Sequence, residues 1–138
     1  MRFIVLVKGS KQSESGVMPD RRELEDMSRF NEELVDAGLM LAGEGLQPTS
    51  KGSRISFAGG KPTVTDGPFA KPEELVAGYW ILQARSKAEV IEWMKKAPFV
   101  DGEIEIRPIV GDEEFAYAPE VMEHEKKLRA RIAQNQRH

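Results

Sequence analysis

Residues 76–84 read Val-Ala-Gly-Tyr-Trp-Ile-Leu-Gln-Ala, a run that indicates the fold class of the chain. It is mostly apolar and contains aromatic and β-branched residues, a composition that favours a strand in the middle of a sheet. Residues 3–7 have the same apolar character and are also of strand length. Strands that are apolar on both sides predict a sheet with both faces covered. We therefore predict that residues 76–84 form a central strand and that residues 3–7 form a second buried strand.

The first helix is predicted between these two strands. Asp20 is followed three residues later by Glu23, which is the pattern of a capping box. Apolar residues then recur at helical spacing until Gly38, a residue that often ends helices. The pattern predicts a helix over about residues 20–37, and the polar residues 9–18 before it are predicted to form a loop.

The remaining elements complete a recognisable order. Ser86 and Glu89 repeat the capping-box pattern before a second helix, which is predicted to end at Pro98. Further strands are predicted at residues 39–46, at residues 103–109, and in a hairpin of residues 55–57 and 63–65. The order β-α-β, hairpin, β-α-β is the ferredoxin-like pattern of an α+β fold. We expect both helices on one face of an antiparallel sheet and a second copy of the chain on the other face, which predicts a homodimer.

The C-terminal part of the chain differs from the rest. Residues 111–138 are predicted to form a helical extension to a domain that comprises residues 1–110. The helix is predicted from Pro119 to about Gln134, with a thin apolar stripe. Two interpretations stay open: a solvated helix docked loosely on its own domain, or an arm that crosses to a dimer partner.

Composition excludes several classes of protein. The 138 residues include 20 basic and 23 acidic side chains, and the net charge is −3. No basic patch is visible, so direct binding to nucleic acid is not expected. No apolar run approaches the ~20 residues of a membrane span, so membrane insertion is not expected either. The chain has no cysteine, which excludes disulfides and thiolate chemistry and fits a cytoplasmic location.

Histidine is almost as scarce as cysteine. His124 and His138 both lie in the C-terminal extension, which removes histidine-based triads and metal sites from the body of the domain. No glycine-rich nucleotide-binding loop is present, so no cofactor is predicted. Glu44 and Asp66 could share a hard cation such as magnesium, but two carboxylates from separate segments are a weak signal, and no metal site is predicted.

Four short motifs occur in an order that is typical of a known family. They are Gly43-Glu44-Gly45-Leu46-Gln47-Pro48, Thr65-Asp66-Gly67-Pro68-Phe69, Gly78-Tyr79-Trp80-Ile81 and Glu105-Ile106-Arg107-Pro108. Together they resemble the YCII-related proteins, specifically the branch that takes its name from an Asp-Gly-Pro-Phe (DGPF) motif. The resemblance covers about residues 1–110. It implies a ferredoxin-like fold of the dimeric α/β-barrel type.

The resemblance also has implications for function. A paired His and Asp has been proposed as the active site of the wider family, and one related enzyme removes chloride from a chlorinated hydroxyquinone. Members of this branch often occur beside extracytoplasmic-function sigma factors. The family Asp matches Asp66, but this chain has no His in the matching N-terminal strand region. The resemblance therefore implies only one half of that proposed pair.

Four residues are predicted to form the site. Asp66 and Glu44 are the candidate catalytic residues, because a carboxylate in an apolar cleft can act as an acid or a base. Tyr79 and Arg107 are candidate substrate-binding residues, through a phenolic hydroxyl and a bidentate guanidinium respectively. Each has a structural alternative: turn formation for Asp66, an ion pair for Glu44 and Arg107, and core packing for Tyr79.

Two functions follow from these residues. The first is a cofactor-independent enzyme of lyase or isomerase type, in which Asp66 or Glu44 performs acid–base chemistry in a small-molecule cleft. The second is a non-catalytic ligand-binding or regulatory protein associated with an extracytoplasmic-function sigma factor. The related enzyme favours the first function, and the missing histidine favours the second. Neither hypothesis identifies the substrate or ligand.

Overall fold

A four-stranded antiparallel sheet forms the centre of the fold in a computed structural model, which describes residues 1–136. Its strands are β1 (Arg2–Lys8), β2 (Met40–Gly45), β5 (Val76–Gln83) and β6 (Ile104–Pro108). Their spatial order is β2-β5-β1-β6, so the two most apolar strands are central, as predicted. The two strands between β2 and β5 in sequence, β3 (Ser53–Ala58) and β4 (Lys61–Asp66), form a separate two-stranded ribbon.

Two helices cover one face of this sheet. They are α2 (Arg21–Asp36) and α3 (Lys87–Met94). Phe3 lies opposite Leu82 and Val5 lies opposite Trp80, so these four side chains project from the same face. They pack in one core with residues of both helices, namely Phe30, Leu34, Val90 and Met94. The prediction of an α+β, ferredoxin-like fold with both helices on one face is confirmed.

The helices begin and end for identifiable reasons. The backbone N–H of Glu23 donates to the Asp20 carboxylate over 2.9 Å, which caps α2. The backbone N–H of Glu89 likewise donates to the Ser86 hydroxyl and caps α3. Helix α3 ends at Met94, four residues before the proline that was predicted to end it. Beyond Met94 the N–H groups of Lys96 and Ala97 donate to carbonyls three residues back, so the chain continues to Pro98 in tighter turns.

The prediction that residues 9–18 form a loop is wrong, because they contain a short helix, α1 (Lys11–Ser15). Ser10 and Ser13 form a reciprocal capping box: the N–H of each donates to the hydroxyl of the other, over 2.8 and 3.0 Å. No residue of α1 is buried. The apolar periodicity that reveals a helix in a sequence is therefore absent here, and local serine bonds form the helix instead.

The ribbon of β3 and β4 has one apolar and one polar face. The two strands are joined at Gly59 and Gly60, both of which have positive φ, as tight hairpin turns require. Alternation puts four apolar residues on one side, and we call this side the ribbon face: Ile55, Phe57, Pro62 and Val64. Ile55, Phe57 and Val64 are 56%, 76% and 63% exposed. This apolar face is uncovered in the single chain.

The sheet surface turned away from α2 and α3 is also largely apolar at its centre. We call it the open face; its central residues are Ile4, Leu6, Tyr79 and Ile81, all of them half-buried. Charged residues lie on the two edge strands that flank this centre, with Glu44 on β2 and Arg107 on β6. Both sides of the central strands are therefore apolar at their centre, as predicted, and α2 and α3 cover only one of these sides.

The chain divides into two compact units, Met1–Pro108 and the segment from Ile109 onward. The second unit contains a short 3₁₀ turn (Asp112–Phe115) and α4 (Pro119–Asn135), close to the predicted helix. Arg129 donates two hydrogen bonds to Asp112, over 2.7 and 2.6 Å, and this carboxylate raises the pKa of the guanidinium. His124 is exposed on α4, and His138 lies outside the described residues. No helix within residues 1–136 has the length and apolarity needed to cross a bilayer.

Candidate functional site

Trp80 is the residue around which the candidate site is built. It lies on the helix-covered side of β5, directly opposite Gly43 on β2. A Cβ atom at position 43 would lie 2.9 Å from Cδ1 of Trp80 and 2.7 Å from Cε of Met40. Gly43 therefore has to be glycine for the indole to lie against β2. Phe30 and Phe99 both meet the indole edge-on, with ring centroids 5.8 and 6.1 Å away.

The indole also has a polar partner on α2. Nε1 of Trp80 donates a hydrogen bond to Oδ1 of Asn31 over 2.9 Å. Met27, one helical turn before Asn31, lies on the same side of α2 and faces the same space. Asn31 could not be identified from the sequence, because a single asparagine in a helix carries no motif. The signal that could have found it is its placement one turn after Met27 and next to the core residue Phe30.

A cleft of about 260 Å³ opens beside this pair, and we call it the Trp80 cleft. Its floor includes Gly43, Gly45 and Gly78, where two strands run without side chains. A Cβ atom at Gly45 would meet nothing within 4 Å, so this glycine faces open space. The other residues that border the cleft are mostly apolar or aromatic: Val7, Met27, Asn31, Glu44, Ala77, Tyr79, Trp80 and Phe99.

Two of the four predicted site residues border the Trp80 cleft. Glu44 and Tyr79 are direct neighbours across β2 and β5, one position from the pair of Gly43 and Trp80. Since side chains alternate along a strand, those of Glu44 and Tyr79 project from the open face, opposite the indole. Glu44 is exposed. These two residues therefore border the cleft at the strands while presenting their functional groups to the other side of the sheet.

Arg107 and Asp66 lie elsewhere. Arg107 is on the edge strand β6, where it is exposed and paired in register with Ile4. Asp66 is the last residue of β4, and its carboxylate accepts a hydrogen bond from the Ser53 hydroxyl over 2.6 Å. Asp66 is exposed and its carboxylate is bonded across the ribbon. Neither residue borders the Trp80 cleft.

The turn after Asp66 is packed tightly against a neighbouring loop. The peptide bond between Gly67 and Pro68 is cis, and the N–H of Gly67 donates to the Gly52 carbonyl over 3.0 Å. A Cβ atom at Gly67 would lie 1.8 Å from the carbonyl oxygen of Thr49, so no other residue fits there. The guanidinium of Arg54 lies 3.8 Å from the centre of the Phe69 ring, in a cation–π contact.

A chain of hydrogen bonds fixes this turn to α1. The N–H of Phe69 donates to Oγ1 of Thr49 over 3.0 Å, and that hydroxyl in turn donates to the Glu14 carboxylate. The N–H of Thr49 donates to the other oxygen of Glu14 over 2.9 Å. Glu14 lies in the short helix that the sequence analysis missed, so its role could not be predicted from the motif. These contacts hold the turn at residues 65–69 in a fixed position, and we call this turn with Thr49 and Glu14 the corner.

The fold and the cleft together define a ferredoxin-like α+β protein with a small apolar cleft between its sheet and α2. The model of the YCII-related domain family matches residues 1–115, and the chain belongs to this family.

Two similar proteins place the chain in context. An uncharacterised protein from Rhizobium meliloti (strain 1021) is 28% identical over 93 residues, which are 65% of this chain and 75% of that protein. In structure, the chain is similar to 5-chloro-2-hydroxyhydroquinone dehydrochlorinase (TftG) from Burkholderia phenoliruptrix AC1100, solved in complex with 2,5-dihydroxybenzoquinone. The similarity covers 82% of this chain and 98% of that chain, with a TM-score of 0.43 and 16% identity.

Proposed function

We propose that this protein binds a small molecule in the Trp80 cleft. The observation that carries the proposal is the cleft itself, about 260 Å³ between aromatic walls and a floor of glycines. An apolar cavity of about 150 Å³ already binds benzene, so the Trp80 cleft is large enough for a single ring with substituents. Its few polar groups among apolar side chains match the usual make-up of ligand sites.

Binding without turnover is the better supported of the two functions. Among the described residues that border the cleft, Glu44 is the one carboxylate, and it is exposed with its side chain on the open face. Asp66 is bonded to Ser53 outside the cleft. A ligand-binding role also agrees with the regulatory association, beside a sigma factor, that the DGPF resemblance implies.

The enzyme of lyase or isomerase type is the second candidate. It is favoured by the direct pairing of Glu44 with Tyr79, which puts an acid–base group beside a phenolic hydrogen-bond donor. In this proposal Glu44 and Asp66 act as catalytic residues, and Tyr79 and Arg107 bind substrate. Glu44→Gln would abolish turnover of a substrate and leave its binding intact, whereas a purely binding protein would show no turnover in either form.

The binding proposal is tested with a library of single-ring compounds and thermal unfolding. A ligand that binds only the folded state raises the melting temperature of the wild type. Gly45→Val adds a side chain toward the open space of the cleft, in a strand that tolerates β-branched residues, and should remove these shifts. Ser56→Val on the polar side of the ribbon is the control and should keep them. Equal shifts in all three proteins would place binding outside the cleft.

We further propose that two copies of the chain associate through their open faces, with the ribbon faces also covered in the dimer. Support comes from two uncovered apolar surfaces on one chain, and from the marginal stability of an isolated two-stranded ribbon in water. Oligomers of identical chains with twofold symmetry are the commonest kind. Sedimentation equilibrium tests this directly, and a clean monomer at micromolar concentration would contradict it. The predicted cytoplasmic location stays a prediction, to be checked by cell fractionation.

A further inference from the structure

The hydrogen bond between Trp80 and Asn31 determines which end of the asparagine amide is available to a ligand. The indole N–H is a donor and has no acceptor capacity, so the group that faces it has to be an acceptor. In Asn31 that group is the amide oxygen, 2.9 Å from Nε1 of Trp80. The amide cannot be turned over without placing its NH₂ group against the indole N–H. Trp80 therefore fixes the orientation of Asn31.

The consequence concerns the other half of the amide. Nδ2 of Asn31 carries two N–H groups, and no residue among the described residues 1–136 accepts a hydrogen bond from them. Asn31 is half-buried and borders the Trp80 cleft. A ligand that fills the cleft removes water from this donor, and an unmatched buried donor weakens binding. A ligand that offers an acceptor at this point avoids that loss.

The charges around the cleft limit which hydrogen-bond acceptor a ligand can place beside Asn31. Among the described residues that border the cleft there is no lysine or arginine, and the side chains of Glu44 and Tyr79 project from the open face. A ligand carboxylate that entered the cleft would lose its water and find no cation to pair with. A neutral carbonyl oxygen needs only the N–H groups of Asn31. The apolar walls of Trp80 and Phe99 suit a planar ring attached to that carbonyl.

We propose that Asn31 is a ligand-binding residue, held as a hydrogen-bond donor by Trp80, and that the cleft selects compact aromatic molecules with a neutral carbonyl group. The inference rests on the proposed function, because it assumes that the Trp80 cleft is where the ligand binds. It adds which polar group the cleft selects in a ligand. The group should be a hydrogen-bond acceptor and not a donor, and it should be neutral and not anionic.

The wild-type protein tests this with four matched probes: acetophenone, ethylbenzene, aniline and benzoate. Binding is followed by NMR through the indole N–H resonances, of which the protein has two, from Trp80 and Trp93. We expect acetophenone to bind about tenfold more tightly than ethylbenzene, the order expected for one hydrogen bond, and more tightly than aniline or benzoate. Equal affinity for acetophenone and ethylbenzene would overturn the inference and leave the cleft proposal standing.

Asn31→Asp provides a second, sharper measurement. Aspartate still accepts a hydrogen bond from Trp80, so the indole resonance of Trp80 should keep its hydrogen-bonded shift. The two donors are replaced by an oxygen, so acetophenone should lose about tenfold in affinity while ethylbenzene keeps its own. Unchanged affinity for acetophenone in a folded Asn31→Asp protein would also overturn the inference. Absence of binding by all four probes and by the single-ring library would remove the binding proposal together with it.

Discussion

Glu44 lies on β2 and Arg107 on β6, at opposite edges of the four-stranded sheet and on the same face. Two central strands lie between them, so their backbones are at least about 14 Å apart at neighbouring-strand spacings of about 4.8 Å. Among residues 1–136 no salt bridge joins them, so the ion pair that was one interpretation of the motifs is not formed within the single chain.

The tight contact at Gly67 leads to a prediction about stability. Gly67→Ala places a Cβ atom against the backbone oxygen of Thr49, which cannot move without disturbing the loop. We expect the free energy of unfolding to fall by about 2–3 kcal/mol, as for other overpacked sites. Urea unfolding measures the change. Gly45→Ala is the control and should have little effect, since its new methyl group meets nothing within 4 Å; equal losses in both variants would show that the contact is not the cause.

Glu14 should contribute more to stability than its place in a short polar helix indicates. Glu14→Gln keeps one acceptor but loses the charged carboxylate that binds both the N–H and the hydroxyl of Thr49. Hydrogen bonds to charged groups are the stronger ones, so we expect a loss of about 1–2 kcal/mol in urea unfolding. Glu25→Gln, which removes an exposed ion pair with Arg21, should change stability by less than about 0.5 kcal/mol. A similar loss for both variants would contradict the special role of Glu14.

Asp66 can be tested separately as a site residue. Asp66→Ala removes the bond to Ser53, and because Asp66 does not border the Trp80 cleft we expect the same set of ligands to raise the melting temperature. The comparison is made by thermal shift against wild type with the single-ring library. Ligands that stabilise the wild type but not Asp66→Ala would restore this carboxylate as part of the site.

The ribbon face should matter for association more than for the fold of one chain. Phe57→Ser removes a ring that is 76% exposed in the single chain, so the stability of the dilute monomer should change little. In a dimer that buries this ring, dissociation should become at least about tenfold easier, from the loss of apolar burial on both copies. Urea unfolding of the dilute protein measures the stability, and sedimentation equilibrium measures the dissociation constant, with Thr63→Ser on the polar side as control in both. An unchanged dimer in Phe57→Ser would remove the ribbon face from the interface.

The sheet could be predicted from the sequence because the apolar composition of its central strands indicates that they are buried. The apolar residues of β1 and β5 indicate central strands, and these strands lie at the centre. These predictions succeed because a run of apolar residues on both sides of a strand is typical of the middle of a sheet.

The site itself was only partly predictable, for a physical reason. Motifs mark positions along the chain, whereas a cleft depends on which side chains meet across elements. Asn31 acquires its role from a tryptophan 49 residues away, and Glu14 from a threonine 35 residues away. Neither has a local pattern. Asp66 shows the converse, since a conspicuous motif residue lies away from the cleft.

The hydroxyl of Thr49 joins three segments that are distant in sequence, and this affects how the corner opens and closes. Its partners Glu14 and Phe69 lie 35 and 20 residues away, so neither bond can form until long loops have closed. Contacts of such separation form slowly and tend to be lost as a unit. We expect the amide protons of Thr49 and Phe69 to give matching opening free energies in hydrogen exchange. These free energies should be lower than those of amides in the central strands. The turn at residues 65–69 would then open and close as one unit with Glu14 and Thr49.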